Sequence, residues 1–183
     1  MADESDAGVP PPTGARLELL RRLGFGALEH DSHVPFLSHL IGTRRLLVEW
    51  GERPALCDAG LFHSAYGTEY FQPDAPASRD EVVALIGAEA EAIAHAWCTI
   101  ERDTLAPAAP FTVTDREAGQ VVELDPQLAS DVATLWAADT VEQIARMAVD
   151  ERGFAHGLGR VLHLASPAAQ AAAAAIAPLL DER

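Results

Sequence analysis

The stretch that decides the fold is LCDAGLFHSAYGTEYF, residues 56–71. Leu56, Ala59 and His63 follow one another at steps of three and four residues, which is the spacing of side chains along one face of an α-helix. A proline before the stretch and a glycine within it are typical helix boundaries. The pattern predicts a short helix over residues 54–65 that carries a histidine on its apolar face.

Similar patterns predict further helices on both sides of this stretch. Ser78 and Glu81 have the spacing of a capping box, and Asp125-Pro126 suits the N-cap and first turn of a helix. A Ser-Pro pair also precedes the alanine-rich segment at the C-terminal end, which has high helix propensity. We predict helices over residues 15–23, 35–50, from 78 onward, from 126 to about 149, and from 167 onward.

One segment has the pattern of strands. FTVT (111–114) and VVEL (121–124) flank a polar turn and predict a β-hairpin, which would serve as a pocket lid or a dimer contact. The expected fold class is therefore all-α, a helical bundle with a small β-hairpin insertion at about 111–124. The acidic, proline-containing residues 1–13 predict a disordered tail, and residues 14–183 have the length of a single domain.

Composition restricts the classes of partner. The formal net charge is −15, and only 13 lysines and arginines are present without a basic run, so we expect no nucleic-acid binding. The same charge repels anionic lipid. The sequence also lacks the apolar stretch of about 20 residues that a membrane span requires, so we expect no membrane span. Two cysteines and the absence of an apolar leader predict a cytoplasmic protein. With nucleic acid and membrane disfavoured, the expected partner is a small-molecule substrate.

Three polar residues occupy positions where helical periodicity would place apolar ones. His63 continues the stripe described above, Asp139 lies on an apolar stripe of the helix that starts at 126, and His39 lies near the buried edge of its helix. A buried carboxylate is costly unless it is paired or coordinates a metal. Imidazole and carboxylate ligands suit iron, zinc or manganese, so the three residues make a plausible divalent-metal site if their helices converge. The alternative is three separate core residues that bond to neighbouring backbone or helices.

The order of these residues resembles that of a known superfamily. VPFLSHL (34–40), the stretch 56–71, LIGAEAEAI (85–93) and LWAADTVEQ (135–143) resemble the HD superfamily of metal-dependent phosphohydrolases, most closely the hydrolase domain of the (p)ppGpp enzymes. The chain is also similar to small uncharacterised bacterial proteins with an HL-x-GT and AGLFHS-x-YGT pattern. The resemblance implies an HD-like helical fold and metal-dependent hydrolysis, with His39, His63 and Asp139 as ligands. We therefore predict that these three residues share one divalent-metal ion, with side-chain tips within about 8 Å of one another.

The sequence also departs from the superfamily pattern. Ser64 replaces the aspartate that names the HD motif, Gly67 and Thr68 stand where the (p)ppGpp hydrolases have an acidic pair, and Gln143 replaces an asparagine. These losses predict a substrate other than a highly charged nucleotide. Two histidines and one carboxylate also resemble non-haem iron sites, which leaves an iron-dependent oxidative or lyase reaction as an alternative. A degenerate HD domain that binds a ligand or partner without catalysis is the third hypothesis.

Further candidate residues lie around the predicted site. Tyr66 and Glu69 follow the His63 helix at its break and are candidates for general acid and general base. His33 and His95 are additional candidate ligands. Asp58 lies five residues before His63, so it should face away from the site and lie at the surface.

Overall fold

The computed structural model describes residues 12–26, 29–30, 34–73, 75–144, 147 and 157–181. The helices predicted from the sequence are present at the expected places. The predicted tail, apart from its last two residues, and His33 lie outside the described residues. Seven α-helices are found among the described residues: α1 Gly14–Arg22, α2 Phe36–Glu49, α3 Pro54–Phe62, α4 Arg79–Thr99, α5 Pro126–Ile144, α6 Leu158–Val161 and α7 Pro167–Asp181.

Two small antiparallel sheets accompany the helices. Strands β1 (Glu29–His30) and β2 (Val34–Pro35) pair just before α2. Strands β3 (Ile100–Glu101), β4 (Phe111–Asp115) and β5 (Gln120–Leu124) form a sheet in the order β3-β4-β5. The predicted hairpin is confirmed as β4 and β5. The sequence did not reveal β3, because two residues are too few to show an alternating pattern.

Helices α2, α3 and α5 pack closely around the core. Gly60 of α3 faces α2, and a Cβ atom built there would lie 2.5 Å from Cδ1 of Leu47. The missing side chain therefore lets the two helix backbones approach each other. The largest fully buried side chains of the described residues include Phe25, Leu61, Phe62, Trp97, Leu135 and Trp136.

Helix α4 is kinked at Gly87, which has a φ of 84°. By length and composition alone α4 could cross a membrane, although the sequence analysis expected no such segment. In the fold α4 packs on α3, and its Glu91 is buried in an ion pair. This packing is typical of a core helix.

Two expectations about helix ends had different outcomes. Asp125 caps α5 as predicted, since its Oδ1 accepts hydrogen bonds from the backbone N–H groups of Gln127 at 2.9 Å and Leu128 at 3.0 Å. Ser78 precedes α4 as predicted, but its side chain makes no capping hydrogen bond. The capping-box pattern therefore predicted the start of α4 correctly, but the predicted side-chain hydrogen bond from Ser78 is absent.

The prediction that Asp58 lies at the surface is wrong. Asp58 is buried, and its carboxylate pairs with Arg16 of α1 at 2.7 Å and Arg44 of α2 at 3.3 Å. The error arose because a helix was assumed to have one solvent-facing side. Neighbouring elements cover α3 on all sides, since every residue from Leu56 to Phe62 is buried.

Candidate metal centre

His39, His63 and Asp139 meet at one buried point. Nε2 of His39 lies 3.1 Å from Nε2 of His63 and 3.1 Å from Oδ1 of Asp139, and Nε2 of His63 lies 3.4 Å from that oxygen. The side chains come from α2, from the C-terminal end of α3 and from α5, and all three are buried. The predicted convergence is confirmed.

The outer ring nitrogen of each histidine is held by an acceptor. Nδ1 of His63 lies 2.7 Å from the Gly60 carbonyl oxygen, and Nδ1 of His39 lies 2.5 Å from Oε2 of Glu142. A carbonyl or carboxylate oxygen can only accept, so we assign the Nδ1 proton to both rings from the hydrogen-bond network. The neutral rings then direct two Nε2 lone pairs at each other and at the Asp139 carboxylate.

Three electron-rich atoms at such separations can hold a cation between them. Donor atoms about 2.0–2.2 Å from one zinc ion in tetrahedral geometry are themselves roughly 3.3–3.6 Å apart, which is close to the observed separations. In the metal-free protein a proton takes this place. Burial lowers the pKa of His39, but the hydrogen bonds and charges of Asp139 and Glu142 outweigh burial and raise it to about 9.

The carboxylate of Asp139 is held in its ionised form. Burial alone would raise its pKa, but hydrogen bonds to His39 and His63 hold the pKa well below the usual range of an aspartate. Gln143, one helical turn later, donates from Nε2 to Oδ1 of Asp139 at 2.7 Å. Gln143 thus orients the carboxylate, as residues that surround a metal site commonly do.

The sequence analysis missed Glu142. Its position three residues after Asp139 places both side chains on one face of α5, which is the signal that could have revealed it. Gly42, three residues after His39 on α2, provides the room for it. A Cβ atom at Gly42 would lie 2.6 Å from Oε1 and 2.8 Å from Cγ of Glu142.

We therefore expect Gly42→Ala to displace the Glu142 carboxylate from Nδ1 of His39. Loss of such an outer contact typically lowers metal affinity by about 10–100-fold. Titration of the metal against a competing fluorescent chelator would measure the change. Gly159→Ala is the matched control, because no atom lies within 4 Å of a Cβ built on that helical glycine. Equal affinities for the two variants would contradict the assignment.

Tyr66 belongs to a second polar cluster. Its hydroxyl donates to Oε1 of Glu91 at 3.0 Å, and Arg79 donates to the two carboxylate oxygens of Glu91 at 2.6 and 2.7 Å. Burial, with the hydrogen bond and charge of Glu91, raises the pKa of Tyr66 far above its usual value. Tyr66 therefore stays protonated, and its role as a general acid stays a prediction.

The buried ion pair of this cluster predicts a pH-dependent contribution to stability. The hydrogen bond from Arg79 lowers the pKa of Glu91 against the opposing effect of burial. A lowered folded-state pKa stabilises the protein above the unfolded value and loses that contribution as the pH falls through the folded value. We expect Glu91→Gln to cost about 1–3 kcal/mol at pH 7 and less below pH ~4.3. Urea unfolding of the parent and the variant at pH 7 and below pH ~4.3 tests this prediction. A difference in the free energy of unfolding that does not change with pH would contradict it.

Glu69 is joined to the histidine site through two intermediate residues. Its Oε1 accepts a hydrogen bond from Nε of Arg102 at 2.6 Å, and the Arg102 guanidinium lies 4.3 Å from the centre of the Trp97 ring. Trp97 in turn makes an edge-to-face contact with His63, with ring centres 6.1 Å apart. The proposed role of Glu69 as a general base also stays a prediction.

The other candidate ligand in the described chain lies elsewhere. His95 packs against Tyr66, with ring centres 5.3 Å apart, and its Nε2 lies 3.9 Å from Glu117. It is not in the group of His39, His63 and Asp139.

Comparison with known proteins adds a partial family match. Residues 19–102 match the family described as Domain of unknown function (DUF6817). The match includes His39 and His63 and ends before α5, so it does not contain Asp139. No curated protein and no solved structure matches the chain. A functional assignment therefore depends on the chemistry of the site.

Proposed function

We propose that this protein is a metal-dependent enzyme of HD-like fold that acts on a small-molecule metabolite, in the first instance by hydrolysis. One observation carries the proposal. The Nε2 atoms of His39 and His63 and a carboxylate oxygen of Asp139 lie 3.1–3.4 Å apart in a buried site, with both Nδ1 atoms held by acceptors. The order of these residues along the chain, which resembles that of the HD superfamily, supports the same assignment.

The residues around the site have distinct proposed roles. A divalent ion bound there would polarise the substrate and lower the pKa of a bound water molecule. Glu142 and Gln143 keep the ligand side chains of His39 and Asp139 oriented. Glu69 is the proposed general base and Tyr66 the proposed general acid, and the Tyr66 hydroxyl would exchange its hydrogen bond to Glu91 for one to the substrate.

An iron-dependent oxidative or lyase reaction is the second candidate. Two imidazoles and one carboxylate are the ligand set of many non-haem iron sites that keep open coordination positions. Ser64, which is buried beside His63, cannot add a fourth charged ligand in place of the HD aspartate. The smaller ligand set is the specific observation that supports this second chemistry, and the same set also suits zinc.

Metal analysis of protein purified without chelator tests the proposal. We expect about one ion per chain, and reconstitution with Fe²⁺, Mn²⁺ or Zn²⁺ should raise the thermal unfolding temperature, because a ligand that binds only the folded state stabilises it. Hydrolysis of small phosphate, amide and ester substrates, and oxygen consumption by the iron form, would then separate the two chemistries. Failure to bind any of the three metals would overturn the proposed function. Metal binding without turnover would favour the non-catalytic alternative.

A further inference from the structure

Two buried side chains near the candidate metal centre have hydrogen-bond donors without acceptors. Arg102 is 5% exposed, and its Nε donates to Glu69, but its two Nη groups donate no hydrogen bond to the described residues. Trp97 is 1% exposed, and its indole Nε1 has no partner. Buried donors are nearly always satisfied by protein, water or ligand, so the fully buried Trp97 N–H requires an acceptor. The Arg102 Nη groups are not among the fully buried unpartnered atoms of the described residues, so they reach solvent and can donate to a ligand.

These donors lie within reach of the histidine site. Trp97 is 6.1 Å from the His63 ring and 4.3 Å from the Arg102 guanidinium carbon, which places that carbon within about 10 Å of the His63 ring. The guanidinium also lies 5.0 Å from the ring of Tyr70. The charges of both Arg102 and Asp139 act on the pKa of the Tyr70 hydroxyl, which burial raises. Tyr70 therefore lies beside Arg102 at the solvent-exposed edge of this region.

We propose that Arg102 and Trp97 bind a carboxylate group of the substrate, while an oxygen at its other end reaches the metal centre. The inference rests on the proposed function, and it names the substrate class as small organic acids. A guanidinium offers two parallel N–H groups that match the two oxygens of a carboxylate. The aromatic rings of Trp97 and Tyr70 lie beside Arg102 and fix the plane of its guanidinium before the ligand binds.

Local charge favours a carboxylate over a phosphate. The single positive charge of Arg102 is already opposed by Glu69 at 2.6 Å. The charges of Asp139 and Glu142 would offset those of a divalent ion at the histidine site. The region has no further excess of positive charge to hold two negative charges on one group, as in a phosphate, and the whole chain carries a net charge of −15. A singly charged group costs the least to bring into such a site.

Calorimetric titration of succinate into the Mn²⁺-loaded full chain tests this inference. We expect measurable succinate binding by the parent protein. The affinity should fall by about tenfold or more in Arg102→Gln. It should fall similarly in Arg102→Lys, which keeps the positive charge but loses the two parallel N–H groups of the guanidinium. Trp97→Phe should weaken binding by a smaller factor. Glu69→Gln should strengthen it, because a competing negative charge is removed; a purely structural role for Arg102 would not produce this increase.

Arg160→Gln is the control variant. Arg160 also supports the segment after Arg102, since it donates to the backbone carbonyls of Asp103 and Leu105, but among the described residues no hydrogen bond or cation–π contact joins it to Trp97. Its succinate affinity should equal that of the parent. Circular dichroism identifies any variant that fails to fold. If Arg102→Gln fails to fold, then Arg102→Lys and Glu69→Gln decide whether Arg102 binds the carboxylate.

The outcomes also separate this inference from the proposed function. Metal content is measured on the same samples, so retained metal with equal succinate affinity in the parent and Arg102→Lys would overturn only the carboxylate site. Tighter binding of inorganic phosphate than of succinate would overturn the substrate class. If no metal binds at all, the proposed function fails, and Arg102-dependent binding of acetate to the metal-free chain still decides whether the anion site exists.

Discussion

Asp139→Ala is expected to abolish stoichiometric metal retention. The variant removes the negatively charged ligand atom of the three that lie within 3.4 Å of one another. Loss of an outer contact alone costs about 10–100-fold in affinity, so loss of a direct ligand should cost more than about 100-fold. Elemental analysis and competition with a chelator measure the effect.

The same variant should destabilise the metal-free protein. Asp139 is buried and accepts from Gln143, and the pKa of about 9 keeps His39 protonated beside it at neutral pH. Removing one partner of a buried ion pair typically costs about 3–5 kcal/mol, whereas surface substitutions stay within about 0.5 kcal/mol. Urea unfolding in the presence of chelator provides the free energy.

Asp131→Ala is the matched control for both measurements. Asp131 is another buried aspartate of α5, and it is paired with Arg53 rather than with a histidine. This control should lose stability but retain its metal. Equal metal loss in the two variants would show that Asp139 acts only through folding, and unchanged metal content in Asp139→Ala would remove it from the site.

The sequence predicted the helices and the buried histidines for the same reason. Proline and glycine mark helix ends through backbone conformation, and a polar residue on an apolar stripe is visible as an exception to a local pattern. Both signals depend on residues close together in the chain. The convergence of His39 and Asp139, which are far apart in sequence, could be predicted only from the family resemblance.

The contacts that sequence reasoning missed all depend on three-dimensional packing. Glu142 approaches His39 only because Gly42 has no side chain. The spacing of residues within one helix does not predict which side chains of a neighbouring helix will contact it. Asp58 is buried because two arginines from other helices reach it. The stacking of Arg102 on Trp97 likewise joins the end of α4 to the turn that follows β3, and spacing alone does not predict it.

The two positions that the resemblance compares with the acidic pair of the (p)ppGpp hydrolases have structural roles in this fold. Gly67 has a φ of 87°, and a Cβ atom there would lie 2.6 Å from the Gln72 side chain, so an acidic residue would be strained. The hydroxyl of Thr68 accepts hydrogen bonds from the backbone N–H groups of Tyr70 and Phe71 at 3.2 and 3.1 Å. Neither position is available to supply an acid or a base.

Hydrolysis of ppGpp is therefore expected to be absent or very weak. Ser64 cannot replace a carboxylate as a charged ligand, and the acidic surface gives a highly charged nucleotide no long-range attraction. The assay uses purified protein loaded with Mn²⁺ or Fe²⁺, with ppGpp and generic nucleotides as substrates and an authentic ppGpp hydrolase as the positive control. Turnover on the order of 1 s⁻¹ or faster, within the ordinary range of enzymes, would overturn this prediction. It would show that residues other than Gly67 and Thr68 supply the missing acid and base.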